Sequence, residues 1–130
     1  MKVLFLCTAN CCRSILCEAV FNHLAPEDMK AYSAGSQPKG EVHPLSLKTL
    51  ENAGMSTLGL FSKSSDVHVN LAPDFVITVC DNAHEELAAR PALHWSIPDP
   101  VRSATDAAFD DAVADLTRRV GDLAPRLTAA

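Results

Sequence analysis

The chain has 130 residues, 48% of them hydrophobic, and a formal net charge of −5. That length suits a single domain with a real core, no apolar run approaches a membrane span, and no basic stripe is offered to nucleic acid. Of its five cysteines four fall within residues 7–17, a poor disulfide framework with no zinc-ligand spacing, so no metal, a cytoplasmic setting and chemically used thiols are expected.

Val3-Leu4-Phe5-Leu6 is an apolar run that predicts a buried strand over Lys2–Cys7, and it is too short for a secretory leader. From Arg13 the apolar spacing turns helical, with Leu16, Val20 and Leu24 on one face and Ala19 and Phe21 beside it. This predicts a helix over Arg13–Leu24, broken at Ala25-Pro26. A short strand over Lys30–Ser33 then ends at Ala34-Gly35. Pro44 suits the first turn of a second helix that buries Leu47 and Leu50 and stops at Gly54. Residues 55–73 are irregular, with a short extended piece expected at Leu58–Ser62 and a helical turn at Asp66–Leu71. Phe75–Val79 reads as a buried parallel strand, Ala83–Ala89 as a short third helix and His94–Ile97 as a fourth strand. Ser103 or Thr105 caps the last helix, whose stripe is Phe109, Val113, Leu116, Val120, Leu123 and Leu127. Asp115–Arg119 and Asp122–Arg126 stand at ion-pair spacing on it.

Strand and helix alternate, so the expected fold is α/β. It is one domain over 1–130, in three layers, with a four-stranded parallel sheet and helices on both faces. Ligands of such sheets sit beyond the carboxyl ends of the strands, where Cys7, Cys80 and Asp99 all fall.

The chemistry concentrates in Cys7-Thr8-Ala9-Asn10-Cys11-Cys12-Arg13-Ser14, a strand-to-helix turn. Successive N–H groups of Thr8, Ala9, Asn10, Cys11 and Cys12, with the helix N-terminus, can converge on an anion. Arg13 adds a planar fork of donors matching a tetrahedral oxyanion. The same positive field favours a Cys7 thiolate, to which the Ser14 hydroxyl can donate. Asn10 tolerates the left-handed turn such a loop requires. The histidines are scattered without ligand spacing and read as surface or packing residues, and Cys17 as helix packing.

This stretch resembles the phosphate-binding loop of the low-molecular-weight protein tyrosine phosphatases and of the arsenate reductases built on the same fold. The resemblance continues through Tyr32-Ser33-Ala34-Gly35, Val76-Ile77-Thr78-Val79-Cys80 and His94-Trp95-Ser96-Ile97-Pro98-Asp99-Pro100. It implies Cys7 as nucleophile, Arg13 as oxyanion clamp, Asp99 as general acid and Cys80 as a redox thiol, with Cys12 as a second redox candidate. Arsenate reduction to arsenite is the expected activity, with hydrolysis of phosphomonoesters through a phosphocysteine as the alternative. The expected partners are arsenate or a phosphate-like oxyanion and an external thiol reductant, such as glutathione with a glutaredoxin-like protein, with no tightly bound cofactor. Residues 81–90 hold no cysteine, which excludes a relay from Cys80 to a third thiol there. No aromatic wall follows Asp99-Pro100, where Val101 and Arg102 stand. Some relatives bind potassium through residues equivalent to Asn10, Glu18 and Ser33; here Phe61-Ser62-Lys63 suggests that a lysine ammonium takes the cation's place.

Overall fold

A computed structural model describes residues 1–7, 10, 12–26, 28–35, 37–64, 71–79, 93–95, 100–102 and 105–128. Strand β1 (Lys2–Cys7) is buried from Val3 onward, with neighbours paired on both its edges. It pairs in parallel with β2 (Lys30–Gly35) on one side and β3 (Phe75–Thr78) on the other. A two-residue β4 (Leu93–His94) pairs in parallel with β3, giving the order β2-β1-β3-β4. Of the expected fourth strand, His94–Ile97, only the first residue is in this ladder, and residues 96–97 lie outside the described residues. Parallel neighbours must be joined by crossovers, and helix α1 (Arg13–Leu24) is the one between β1 and β2.

Helix α1 buries Ser14, Ile15, Leu16, Cys17, Ala19, Val20 and Phe21. That is wider than one stripe, since the helix is held between the sheet and the last helix. Leu24, expected on the buried face, is 42% exposed because the final turn runs past the sheet. Helix α2 (Pro44–Asn52) starts at Pro44 as expected, capped by His43, whose Nδ1 accepts the Leu45 N–H at 3.2 Å. It ends at a glycine of left-handed conformation: Gly54 has φ +75°. The Met55 N–H reaches the Leu50 carbonyl at 2.9 Å and the Gly54 N–H reaches that of Glu51 at 3.0 Å, so two end carbonyls are satisfied. Leu50 is buried, but Leu47 is only half-buried, its place inward being taken by Ser46 and Thr49.

The extended piece expected at Leu58–Ser62 does not form. Gly59 turns the chain at φ +80° and leaves Leu58 93% exposed. Strand β2 runs past the expected Ser33 because Ala34 and Gly35 still pair with Leu6 and Cys7, and Ser64 bridges Gly35 on its other side. The turn expected over Asp66–Leu71 and the helix over Ala83–Ala89 fall outside the described residues, apart from Leu71, which lies in a turn. Val79 follows β3 and still donates its N–H to the Leu6 carbonyl at 2.9 Å.

Helix α3 (Asp106–Thr128) follows a short 3-10 turn at Pro100–Arg102. Of the two expected caps, Thr105 fills the position: its Oγ1 accepts the Ala108 N–H at 3.2 Å. Phe109, Ala112, Val113, Leu116, Val120 and Ala124 are buried, so near the C-terminus the stripe passes through Ala124 rather than Leu123. Asp115 pairs with Arg119 at 3.0 Å and also with Arg118, whereas among the described residues no ion pair joins Asp122 to Arg126. Among the described residues no helix is long and apolar enough to cross a membrane.

Candidate active site

Cys7 is the last residue of β1 and Arg13 the first of α1, so five residues separate strand from helix. Register puts Cys7 opposite Gly35 of β2, at the carboxyl end of the central strand. Cys7 is buried at 5% exposure, and Cys12 at 3%. Cys12 occupies the cap position of α1 without a side-chain cap hydrogen bond to the helix. A serine, threonine or aspartate there would spend a side-chain oxygen on the first N–H groups; a thiol leaves the helix end to attract an anion.

Asn10 shapes the turn. It is fully buried with φ +47°, a conformation asparagine accepts more readily than most residues. Its Nδ2 donates to Ser14 Oγ at 2.7 Å, and its Oδ1 accepts the Lys63 N–H at 2.8 Å. One amide thus ties the turn to α1 and to the segment before Ser64. Ser14, fully buried, accepts from Asn10, and an accepting hydroxyl keeps its own proton to give.

Behind the turn lies a buried charge pair. Lys63 Nζ lies 3.5 Å from Glu18 Oε1 and donates to Ser33 Oγ at 3.3 Å and to the Phe61 carbonyl at 2.7 Å. Ser33 in turn donates to Glu18 at 2.5 Å, and the Phe61 ring centroid is 4.5 Å from the ammonium. Burial lowers the Lys63 pKa, while the charge and hydrogen bond of Glu18 oppose that shift. The Lys63 carbonyl also accepts the Gly35 N–H at 3.0 Å, opposite Cys7 in the register. Nothing in the sequence marks the Phe61 carbonyl as a partner, because backbone atoms carry no residue signal.

Cys17 is fully buried on α1. Burial pushes its pKa well above the ordinary thiol range and Cys12 adds to this, with Arg119 and Arg13 pulling the other way and Asp115 raising it slightly. It remains a packing thiol. Trp95 packs on Phe5 at 5.7 Å between ring centroids, and its backbone N–H donates to the Thr78 carbonyl at 2.8 Å. Arg119, held by Asp115, stands 5.9 Å over the Trp95 ring, a contact with no sequence signal. Of the expected site residues, the structure describes Cys7 at the end of β1, Asn10 and Cys12 after it, and Arg13 and Ser14 at the start of α1, with Asn10 bonded to Ser14. Thr8, Ala9, Cys11, Cys80 and Asp99 lie outside the described residues.

The sequence profile of one family, described as low molecular weight phosphotyrosine protein phosphatase, matches residues 2–130. An arsenate reductase from Shouchella clausii is 32% identical over 108 residues, which cover 78% of this chain and 75% of that one. Among solved structures, an arsenate reductase from Archaeoglobus fulgidus superposes with a TM-score of 0.79 at 26% identity, covering 95% of this chain and 99% of that one. A thioredoxin-dependent arsenate reductase from Corynebacterium glutamicum gives 0.78 at 28% identity, covering 98% of this chain and 62% of that one.

Proposed function

The chain belongs to the low molecular weight phosphotyrosine protein phosphatase family, and we propose that within it this protein reduces arsenate to arsenite with electrons from thiols. The observation that carries the reading is the buried Cys7 at the end of the central strand, with five residues between it and Arg13, which opens α1. The likeness to curated arsenate reductases chooses arsenate among oxyanions.

In this reading the backbone of residues 8–12 and the Arg13 guanidinium hold arsenate, and the Cys7 thiolate attacks arsenic. One arsenate oxygen leaves as water, protonated by Asp99 as general acid. A second thiol then attacks the Cys7 sulfur of the Cys7–arsenic adduct. The S–As bond breaks, its electron pair stays on arsenic, and arsenite departs as a disulfide forms. Cys80 is the intramolecular candidate for that thiol and Cys12 the other. A small external thiol is the third route, favoured by the burial of Cys7 and Cys12, which a slender molecule reaches more readily than a protein surface does. Glutathione with a glutaredoxin-like protein would close the cycle.

Relatives of this fold that hold potassium do so where Glu18, Ser33 and Asn10 meet. Here the Lys63 ammonium already lies among the Glu18, Ser33 and Phe61 oxygens, so these residues do not fit a resident cation. Lys63 is read as its built-in replacement. Hydrolysis of phosphomonoesters by Cys7, Arg13 and Asp99 is the second reading, favoured by the family's description.

The deciding assay measures arsenate-dependent thiol consumption in wild type, Cys7→Ser, Cys12→Ser and Cys80→Ser. Cys7→Ser should abolish turnover. Full turnover of Cys80→Ser with every reductant would remove Cys80 from the mechanism, and phosphomonoester hydrolysis without any arsenate-dependent thiol loss would establish the phosphatase.

A further inference from the structure

Three of the five phenylalanines, Phe5, Phe21 and Phe109, are fully buried, but Phe61 is 53% exposed. Its ring lies beside the buried ammonium, with the centroid 4.5 Å from Lys63 Nζ, while the Lys63 side chain is only 4% exposed. The ring therefore stands between the charge and solvent. The face of an aromatic ring is negative and attracts a cation, more strongly where water is excluded.

The ammonium needs holding there. A lysine carries a strongly hydrated charge on a flexible stem, so both hydration and rotamer freedom draw it outward. Its three donors meet three oxygens, from Glu18 at 3.5 Å, Ser33 at 3.3 Å and the Phe61 carbonyl at 2.7 Å, but the first two contacts are long. The segment that presents the ring is itself fixed. Ser62 Oγ accepts the Gly40 N–H at 3.1 Å, and the Lys63 backbone holds Asn10 and Gly35. Phe61 thus meets Lys63 twice, through a carbonyl that any residue would supply and through a ring face that only an aromatic residue supplies.

We propose that Phe61 is a positioning residue: its ring face retains the Lys63 ammonium against Glu18 and keeps water and dissolved cations from replacing it. This role rests on Lys63 being the counter-charge of Glu18. The test is trace acetylation with acetic anhydride, followed at each lysine by peptide mass spectrometry, with the exposed Lys48 as internal reference. Lys63 should react roughly fivefold or more faster in Phe61→Leu than in wild type, whereas Phe61→Tyr should stay within about twofold. Leucine keeps the carbonyl and much of the bulk, so a purely packing role would leave Lys63 protected. A second arm places phenylalanines carrying one, two and three ring fluorines at position 61. These keep the shape of the ring and progressively withdraw charge from its face, so labelling of Lys63 should climb with each fluorine. A flat fluorine series, or equal labelling in wild type and Phe61→Leu, would overturn the proposal. Should Phe61→Leu fail to fold, the fluorine series alone decides. The reading of Lys63 fails by a different result, arsenate turnover in Lys63→Met at the wild-type rate at every pH.

Discussion

Replacing Lys63 by methionine keeps the stem and removes the ammonium. Glu18, whose side chain is 14% exposed, would then keep Ser33 as a partner but lose its counter-charge. Breaking one side of a buried pair costs about 3–5 kcal/mol, and the retained Ser33 hydrogen bond places Lys63→Met near the lower end, about 3 kcal/mol. For a domain of this size that lowers the melting midpoint by roughly 10 °C. The lowered pKa of Lys63 says that burial of the ammonium is not fully offset by Glu18, so the pair is costly to break without being a large net source of stability. Its sign also fixes the pH dependence. Between the lowered folded value and the unfolded 10.5, the unfolded chain binds more protons, so wild type gains stability as pH rises through that window; Lys63→Met lacks this slope. The assay is thermal unfolding together with arsenate turnover, each in potassium, sodium and choline chloride. Wild type should be indifferent to the cation, whereas potassium should partly restore the variant. A wild-type rate that climbs with potassium, or a variant melting within about 2 °C of wild type, would refute the reasoning.

Cys17→Ala should leave arsenate turnover within about twofold of wild type while destabilising the fold by about 1–2 kcal/mol through a small cavity, as chemical denaturation would show. Asp115 has its pKa lowered below the ordinary carboxyl value of 3.8: burial raises it, but the Arg118 hydrogen bond and the charge and hydrogen bond of Arg119 outweigh that. Its contribution is therefore present above 3.8 and lost as pH falls through the folded value. Asp115→Asn should cost about 0.5–1 kcal/mol at neutral pH and nothing once the wild-type carboxyl is protonated, a difference read from paired pH–stability curves. Ala72 sits at φ +50°, where glycine meets no Cβ penalty. Ala72→Gly should therefore raise stability by about 0.5 kcal/mol after allowing for the looser unfolded chain, measurable as a shift in denaturation midpoint.

The parts of the fold legible in the sequence are those governed by local rules. The bounds Lys2–Cys7 and Arg13–Leu24 follow from an apolar run meeting a helical period. Gly54 and Thr105 act as helix terminators because their requirements involve only a few neighbouring residues. What escapes is what depends on distant backbone. The meeting of Gly35 with Lys63 and Ser64 requires the chain to return from far along the sequence, and no propensity encodes it. Apolar residues at Leu58, Leu60 and Phe61 suggested an extended piece, but the left-handed Gly59 decides otherwise. In the site, Asn10 was legible through its backbone tolerance, whereas its Oδ1 bond to the Lys63 backbone was not. The resemblance pointed to Lys63 beside Glu18, but the Phe61 carbonyl completing its shell could come only from coordinates.

A chain of net charge −5 repels oxyanions at long range, so capture must come from a few groups close at hand. Arg13 and the start of α1 supply attraction, but the same helix carries Glu18 one turn further on, a carboxylate that works against both an oxyanion and a thiolate. Lys63 resolves the conflict by neutralising Glu18 at 3.5 Å, while its own backbone holds Asn10 and Gly35. Position and field are thus set by one residue through different atoms, and the two roles separate experimentally. Lys63→Met keeps the backbone bonds and loses only the charge, so it should shift the acid limb of the turnover profile to higher pH as the Cys7 thiol becomes harder to ionise. A variant whose rate falls equally at every pH would assign Lys63 to structure alone.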